Sequence, residues 1–237
     1  MTNFAKISII IPVLNEANTI KTALAIVQAA SNVEVIVVDG GSEDKTVAIA
    51  KSLNVKVLFS RPGRAHQMNT GAAAATGDIL LFLHADTRLP DGFDTMIRNA
   101  LTIQNPKSKI QNPIAGAFEL GIDGKMRSLR LVETMVNWRS HYLQLPYGDQ
   151  ALFLKTAVFH ELGGFPELPI MEDFEFVRRL RRLGKIEILP AAVLTSGRRW
   201  KKLGVVKTTL INQLIVLGYF MGVSPDKLAY WYRRPRK

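Results

Sequence analysis

The sequence predicts an α/β fold in which helices cover both faces of a mainly parallel β-sheet, followed by a C-terminal helical segment. Between residues 7 and 83, four short apolar runs alternate with segments whose apolar residues recur at helical spacing. Each run is apolar throughout, which is typical of strands that are buried on both faces of a parallel sheet. The alternation and the composition of the runs therefore point to the same architecture.

The first half of the chain supplies seven predicted elements in strict alternation. Right-handed crossovers bring the carboxyl ends of parallel strands to one edge of a sheet, and ligands bind at that edge. The polar residues that follow the strands are therefore the candidates for chemistry. The predicted strands span residues 7–14, 33–38, 55–59 and 78–83, and the predicted helices span residues 17–30, 44–53 and 64–75.

The second half of the chain is less regular. Its last predicted helix carries four arginines that spread around the helix, so most of them are expected to face solvent. The predicted elements are a loop over 105–113, a strand over 115–120, a helix over 126–143, a strand-like run that opens at 148–150, a turn over 163–166 and a helix over 172–183. The side chains expected to face the interior include Phe82, Phe118, Leu129, Val132, Val136, Tyr142, Phe153 and Met171.

The composition excludes several classes of protein. Hydrophobic residues make up 47% of the 237 residues, which is too many for a disordered chain. With no cysteine, the chain has no disulfide scaffold, no thiolate metal site and no cysteine nucleophile. Residues 1–6 lack the pattern of a secretory signal, so a cytoplasmic location is expected.

Positive charge is concentrated in the last quarter of the chain. The formal net charge is +11, and residues 178–237 contain 15 Lys and Arg against 2 Asp and Glu, a local balance of +13. This asymmetry predicts a polyanionic partner, which could be a nucleic acid, an anionic lipid surface or a diphosphate. A solvated basic surface without a specific partner is the alternative interpretation.

An uncharged segment at residues 208–225 lies between two groups of basic residues. It is too short and too polar for a membrane span, which needs about 20 largely apolar residues. Three interpretations stay open: the segment lies in the headgroup region of an anionic membrane, closes a site, or forms a homodimer contact.

Acidic residues follow the predicted strands or begin a predicted helix. Asp39 and Asp86 each follow a strand, Asp149 follows a glycine, and Glu172 and Asp173 begin the last predicted helix, where the helix dipole favours negative side chains. A strand-end carboxylate suits a divalent cation that bridges phosphates, and a second carboxylate could remove a proton from a hydroxyl group. This combination is typical of group transfer from an activated phosphate ester.

The chain resembles the family 2 glycosyltransferases, which have the GT-A fold, and is most similar to a small single-domain bacterial subgroup. The resemblance covers about residues 7–183 and follows the order of motifs in the family. The matching segments are IIIPVLNEANTI, VIVVDGGSEDKT, GRAHQMNTGAAAATGDILLFLHADT and GGFPELPIMEDFEFVRRLRRLG. The resemblance implies a GT-A domain at residues 1–200, with a nucleotide-binding half at about 1–104 and an acceptor-side half at about 105–200. A basic and apolar helical extension then covers residues 201–237.

The same resemblance implies a role for residues near the donor. Asp39 would bind the base, which is usually uracil in this family, and Asp86 would hold Mg²⁺ or Mn²⁺ together with the diphosphate. His84 stands where the family has the first aspartate of its metal motif, and imidazole is a better ligand for Mn²⁺ than for Mg²⁺. The other residues implied at the nucleotide are Pro12, Asn15, Glu16 and Arg64.

The resemblance also implies the catalytic and acceptor sides of the site. Asp173 would be the general base of an inverting displacement, and Glu172 would support it or touch the acceptor. Asp149 and Gln150 are expected on the acceptor side, while Arg198 and Arg199 are expected to close over the diphosphate, because guanidinium groups make paired hydrogen bonds to phosphate oxygens.

The resulting hypothesis is a glycosyltransferase that moves a sugar from a nucleotide-diphosphate sugar, typically a UDP-sugar, to an unknown acceptor hydroxyl on a glycan, a lipid-linked molecule or a small molecule. An inactive relative of the family stays open because of His84, and so do two further alternatives. One is a sugar nucleotidyltransferase, although the PVLNEANT loop lacks the glycines and basic residues usual there. The other is a basic protein that binds nucleic acid or a membrane surface, although no nucleic-acid module is recognisable and no nucleic-acid partner is expected.

Overall fold

The computed structural model describes residues 4–102 and 112–233. Most of the predicted loop at 105–113, together with the boundary at residue 104, lies outside the described residues. In chain order, the elements are β1 (Ile7–Val13), α1 (Ile20–Gln28), β2 (Val33–Asp39), α2 (Thr46–Ser52), β3 (Lys56–Phe59), α3 (Arg64–Ala73), β4 (Ile79–Phe82), β5 (Thr87–Arg88), α4 (Phe93–Leu101), β6 (Ala115–Asp123), α5 (Arg127–Leu143), β7 (Phe153–Lys155), α6 (Thr156–Glu161), α7 (Glu172–Leu183), β8 (Ile186–Ser196), α8 (Arg198–Leu203), α9 (Val205–Phe220) and α10 (Pro225–Arg233).

The strands form one mixed sheet in the order β3-β2-β1-β4-β7-β6-β8-β5. β1 pairs in parallel with both β2 and β4, and β6 pairs in parallel with β8. β7 is antiparallel to β4 and β6, and β5 is antiparallel to β8, so these two strands run against the other six. The prediction of a mainly parallel α/β sheet is confirmed.

The core lies on both faces of the sheet because the central strands are apolar at successive positions. In β1, Ile7, Ile9 and Ile11 pack on one face, while Ile10 packs on the other. Helices α1, α2 and α4 cover the first face, and helices α3, α6 and α7 cover the second. The predicted core residues Phe82, Phe118, Phe153 and Met171 are all buried.

The C-terminal helices pack against the rest of the chain near the start of α7. Ile211 and Ile215 of α9 and Leu228 of α10 form a buried cluster with Met171 and Phe174. Of the helices within 4–102 and 112–233, none combines the length and apolar character that a membrane crossing requires.

Several local predictions were wrong. Tyr142 was expected to face inward but is 73% exposed, because Leu129 and Val132 already define the inner face of α5. The run predicted from Gly148 begins instead with a short 3₁₀ helix over Gly148–Gln150 and becomes a strand only at Phe153. Of the four arginines of α7, Arg181 and Arg182 are exposed, whereas Arg178 and Arg179 are half-buried and pair with Glu175.

Helix α3 approaches the sheet closely at Gly71. A Cβ atom there would overlap Ile10 Cγ2 and lie 3.1 Å from Val38 Cγ2. Because both neighbours are β-branched and buried, they have little freedom to move aside. This glycine therefore fixes the height of α3 above the sheet, and with it the position of the residue that begins α3, Arg64.

Gly71→Ala is expected to lower the free energy of unfolding by about 1 kcal/mol or more, because overpacking outweighs the gain in helix propensity. Urea unfolding monitored by circular dichroism measures the change. The control, Ala73→Ser at an exposed position of the same helix, should stay within about 0.5 kcal/mol of the wild type. Equal stability of Gly71→Ala and the wild type would contradict this packing.

Candidate active site

Asp39 is the last residue of β2, and only one of its two carboxylate oxygens has hydrogen-bond partners within the protein. Its Oδ2 accepts hydrogen bonds from the backbone N–H groups of Gly41 and Ser42, at 2.9 and 3.0 Å. Its Oδ1 is buried and has no hydrogen-bond partner. Because a buried acceptor without a donor is unfavourable, this oxygen is suited to accept a hydrogen bond from a ligand.

Asn15 connects the loops that follow β1 and β2. Its backbone N–H donates to Ser42 Oγ at 2.9 Å, and its side-chain Oδ1 accepts from the N–H of Glu43, also at 2.9 Å. Asn15 has a φ of 56°, in the left-handed region that asparagine adopts more readily than most residues. The two loops therefore form one rim beside Asp39.

Gln67 of α3, which the sequence analysis did not identify, links the carboxyl ends of β1 and β2 through hydrogen bonds. Its buried Nε2 donates to the carbonyls of Val13 and Val38, at 2.7 and 2.8 Å. Gln67 could have been identified from the sequence as a polar residue on the otherwise apolar face of the predicted helix. Pro12, which the resemblance implies at the nucleotide, lies buried within β1 opposite Val38.

Arg198 bridges two carboxylates at the edge of the sheet. Its Nη1 donates to Glu16 Oε2 at 2.9 Å, and its Nη2 lies 3.2 Å from Asp86 Oδ2. The end of β8 brings Arg198 there, because Ser196 N–H donates to the carbonyl of Asp86 at 3.1 Å. Burial raises the pKa of Asp86, and the Arg198 guanidinium opposes that shift.

Arg64 and Glu172 form an ion pair between the two halves of the chain. Arg64 Nε lies 2.7 Å from Glu172 Oε1, and the side chain of Glu172 is only 3% exposed. Burial raises the pKa of Glu172, and the adjacent guanidinium opposes this effect. Burial acts to lower the pKa of Arg64, but the charges of Glu172, Asp173 and Asp149 outweigh it and raise that pKa.

Asp173 is held by backbone amides in the first turn of α7. Its Oδ2 accepts from Gly148 N–H at 2.9 Å, and its Oδ1 accepts from Phe174 N–H at 2.7 Å. A Cβ atom at Gly148 would lie 3.1 Å from Asp173 Oδ2 and 3.3 Å from His84 Nε2, so this glycine lies between the two side chains. Burial and the charge of Arg64 lower the pKa of His84 to about 4, so its imidazole is neutral near pH 7.

Asp149 and Arg139 line the next part of the cleft. The Asp149 Oδ1 atom and the Arg139 Nη2 atom are both buried without a hydrogen-bond partner. The Arg139 guanidinium stacks on Tyr147, 3.5 Å from the ring centroid, and its Nε donates to the carbonyl of Leu145 at 3.0 Å. Burial raises the pKa of Asp149 to about 6, although Arg139 opposes the shift. These unpaired groups are suited to a polar ligand.

Gln150 lies behind this wall, away from the cleft. Its side chain is fully buried and bonds to Ser140 Oγ, to the N–H of Tyr147 and to the carbonyl of Phe118. All of its hydrogen bonds are thus made within the protein, so Gln150 positions the turn that carries Asp149. It was expected on the acceptor side, but its buried side chain does not face the cleft.

Tyr232 of α10 adds a wall that the sequence analysis did not predict. It interacts electrostatically with Arg64, Asp173 and Asp149, and burial raises the pKa of its hydroxyl. Arg199, expected over a diphosphate, instead stacks on the Tyr232 ring at 3.8 Å from its centroid. The C-terminal extension therefore contributes directly to the cleft.

A divalent metal would find few protein ligands in this cleft. Among the described residues, no three His, Asp or Glu side chains are close enough together to hold an ion unaided. Asp86 supplies a partly exposed carboxylate, and the neutral His84 supplies a nitrogen lone pair. Because proteins usually bind Mg²⁺ through one or two carboxylates together with substrate phosphates, this donor set fits a divalent metal that arrives with a diphosphate.

Interactions link most of the predicted site residues in one cleft. Asn15 and Asp39 form its first end, the Glu16, Asp86 and Arg198 group comes next, and the group around Arg64 comes last. This last group contains Arg64, His84, Asp149, Glu172 and Asp173. Two of these groups therefore combine an arginine with carboxylates: Arg198 pairs with Glu16 and Asp86, and Arg64 pairs with Glu172.

Comparison of sequences associates the chain with one family. The profile of the family described as Glycosyl transferase family 2 matches residues 8–157. An uncharacterized glycosyltransferase of Rickettsia conorii is 30% identical over 87% of this chain, which spans only 36% of that relative. A PGL/p-HBAD biosynthesis glycosyltransferase of Mycobacterium tuberculosis is 27% identical, over 88% of this chain and 95% of the relative. The chain thus spans about a third of the length of the Rickettsia relative.

Solved structures share the fold at lower sequence identity. Glucosyl-3-phosphoglycerate synthase from M. tuberculosis, in complex with Mn²⁺, UDP and phosphoglyceric acid, gives a TM-score of 0.61 at 21% identity, over 90% of this chain and 78% of that chain. A mannosyltransferase from Pyrobaculum calidifontis in complex with GDP-Man and Mn²⁺ gives a TM-score of 0.57 at 21% identity, over 81% of this chain and 57% of that chain.

Asp149→Asn is expected to change how stability depends on pH. Because the native carboxyl group has a pKa of about 6 instead of 3.8, the fold holds this proton more tightly than the unfolded chain does. The resulting stabilisation is complete below about pH 4 and is lost as the pH rises through 6. The free energy of unfolding of Asp149→Asn, relative to that of the wild type, should therefore rise by on the order of 2 kcal/mol between pH 4 and pH 7.5.

Urea unfolding at several pH values measures this difference, and a constant offset from the substitution does not affect it. The control is Asp91→Asn, at an exposed position outside the cleft. Curves for Asp149→Asn and the wild type that run parallel across this pH range would show that Asp149 is not held in this environment.

Proposed function

Since the chain belongs to glycosyl transferase family 2, we propose that it transfers a sugar from a nucleoside-diphosphate sugar to an acceptor hydroxyl, with inversion at the anomeric carbon. One observation carries the proposal: Arg64 interacts electrostatically with both Asp173 and Asp86, and the Asp86 carboxylate also pairs with Arg198. A base and a phosphate-binding group would thus share one site. Family membership favours this proposal over nucleotidyl transfer and over nucleic-acid binding.

The donor would lie along the rim formed by the loops after β1 and β2. The unpaired Oδ1 of Asp39 would accept an N–H of the nucleotide base, as in the uracil contact that the resemblance implies. Arg198 and Arg64 would then face the diphosphate, where guanidinium groups make charge-assisted hydrogen bonds. GDP-Man and UDP occur in complexes of the structural neighbours, so both bases are candidates.

Asp86, with His84 beside the same cleft, would hold a divalent cation together with the diphosphate. The neutral imidazole supports Mn²⁺ over Mg²⁺, because nitrogen ligands suit the softer ion. When bound, the cation would neutralise charge on the leaving diphosphate. Arg198 would remain close enough to the diphosphate to stabilise its negative charge while it stays paired with Glu16 and Asp86.

Asp173 would act as the general base of the transfer. It accepts the proton of the acceptor hydroxyl as the acceptor oxygen bonds to the anomeric carbon, and the bond from that carbon to the diphosphate oxygen breaks. Attack from the face opposite the leaving group inverts the configuration. Glu172 keeps Arg64 in place, and Asp149 lies on the acceptor side. The division into a domain at 1–200 and an extension at 201–237 stays part of this proposal.

Asp173→Asn should reduce transfer at least about 100-fold while nucleoside-diphosphate binding changes by no more than about 3-fold, because an amide cannot accept the proton. Binding of UDP and GDP with Mn²⁺ or Mg²⁺ is measured by calorimetry. Turnover is measured as release of nucleoside diphosphate from the matching nucleotide sugar. A matched control, Asp91→Asn, should retain both properties.

Equal losses of binding and turnover in Asp173→Asn would show that this carboxylate serves the donor and is not a base. Failure of the wild type to bind any nucleoside diphosphate, with or without metal, would overturn the proposed donor class.

A further inference from the structure

The outer face of α5 exposes a stripe of large apolar side chains. Leu131, Met135, Trp138 and Tyr142 recur at intervals of four, three and four residues, which places them on one side of the helix. Between 48 and 73% of each is exposed. The rings of Trp138 and Tyr142 lie 5.3 Å apart, so the stripe is a continuous apolar surface and not a set of isolated residues.

Helix α9 exposes a second stripe. Val206, Leu210, Leu214 and Leu217 recur at intervals of four, four and three residues and are 55 to 72% exposed. The stripe continues to Phe220, which is also exposed. The opposite side of α9 is buried, so its exposed face is not required for packing within the chain.

The two stripes lie on neighbouring helices that run in the same direction. Val205, at the start of α9, packs against the buried cluster that contains Leu129 and Val132, near the start of α5. Further along, Ile211 of α9 lies in one cluster with Leu145, just beyond the end of α5. The amino-terminal ends of the two helices therefore lie at the same end of this surface.

Exposed basic residues gather at that shared end. They come from the segment before and within the first turn of α5 and from α8 and α9, and residues 198–220 contain no acidic residue. The only acidic residue within α5 is Glu133, which is paired with Arg130. The exposed basic residues are Lys125, Arg127, Lys201, Lys202 and Lys207.

We propose that the exposed faces of α5 and α9 form a surface that docks onto an anionic lipid bilayer. The apolar side chains would enter the boundary between headgroups and acyl chains, and the lysines and arginines would contact anionic headgroups. This charge complementarity favours a membrane over a second copy of the chain, since lysine is depleted in protein–protein interfaces. The helices lie on the bilayer, and the proposal is independent of the sugar-transfer reaction.

Co-sedimentation of the full-length chain with vesicles tests this docking. We expect binding to phosphatidylcholine vesicles that contain 30% phosphatidylglycerol to be about 10-fold or more tighter than binding to pure phosphatidylcholine, and to weaken at high salt. L210Q/L214Q should lose about 10-fold in affinity for the anionic vesicles, because both substitutions remove apolar contacts without touching the core. An equally exposed control outside the surface, Phe59→Ser, should bind like the wild type.

A charge-matched pair of triple variants separates a specific surface from general attraction by a basic protein. K201Q/K202Q/K207Q should lose about 10-fold in affinity, whereas K21Q/K45Q/K51Q, with the same net charge, should lose far less. Equal losses in the two variants, or no binding by the wild type, would overturn the proposal. So would a wild-type dimer in sedimentation velocity that L210Q/L214Q dissociates in the absence of vesicles.

Discussion

The ion pair between Arg64 and Glu172 is the interaction on which the geometry of the cleft depends. A carboxylate as buried as Glu172 needs a cationic partner, because an unpaired charge at that position would be strongly unfavourable, although the Arg64 side chain itself is 46% exposed. Arg64 begins α3 in the first half of the chain, and Glu172 begins α7 in the second. The pair therefore joins the two halves at the site, and Asp173 follows Glu172 in the same helical turn.

The same principle organises the rest of the cleft, because Arg64 and Arg198 each interact with more than one carboxylate. Arg198 forms ion pairs with Glu16 and Asp86. Arg64 forms an ion pair with Glu172 and also interacts electrostatically with Asp149. A diphosphate that entered between these arginines would meet cations already fixed by protein carboxylates. Such preorganisation limits the rearrangement needed when a doubly charged ligand binds.

Local periodicity was enough to predict the central strands and most helices, because the central strands are apolar at successive positions and both faces of the sheet are buried. The strand-end positions of Asp39 and Asp86 followed from the same pattern. The role of Tyr232 could not be predicted, since it depends on how α10 packs on α7, a contact between segments far apart in the chain. The prediction that Tyr142 faces inward was wrong and the full burial of Gln150 was not predicted, because tertiary packing decides which side of each element is buried.

A double-mutant cycle on Arg64→Met and Glu172→Gln tests the central claim most directly. The free energies of unfolding of the wild type, the two single variants and the double variant are measured in urea at pH 7.5. If the ion pair joins the halves of the cleft as described, the coupling energy is at least about 1 kcal/mol. A coupling energy near zero would mean that the two residues act independently and that another interaction holds the cleft together.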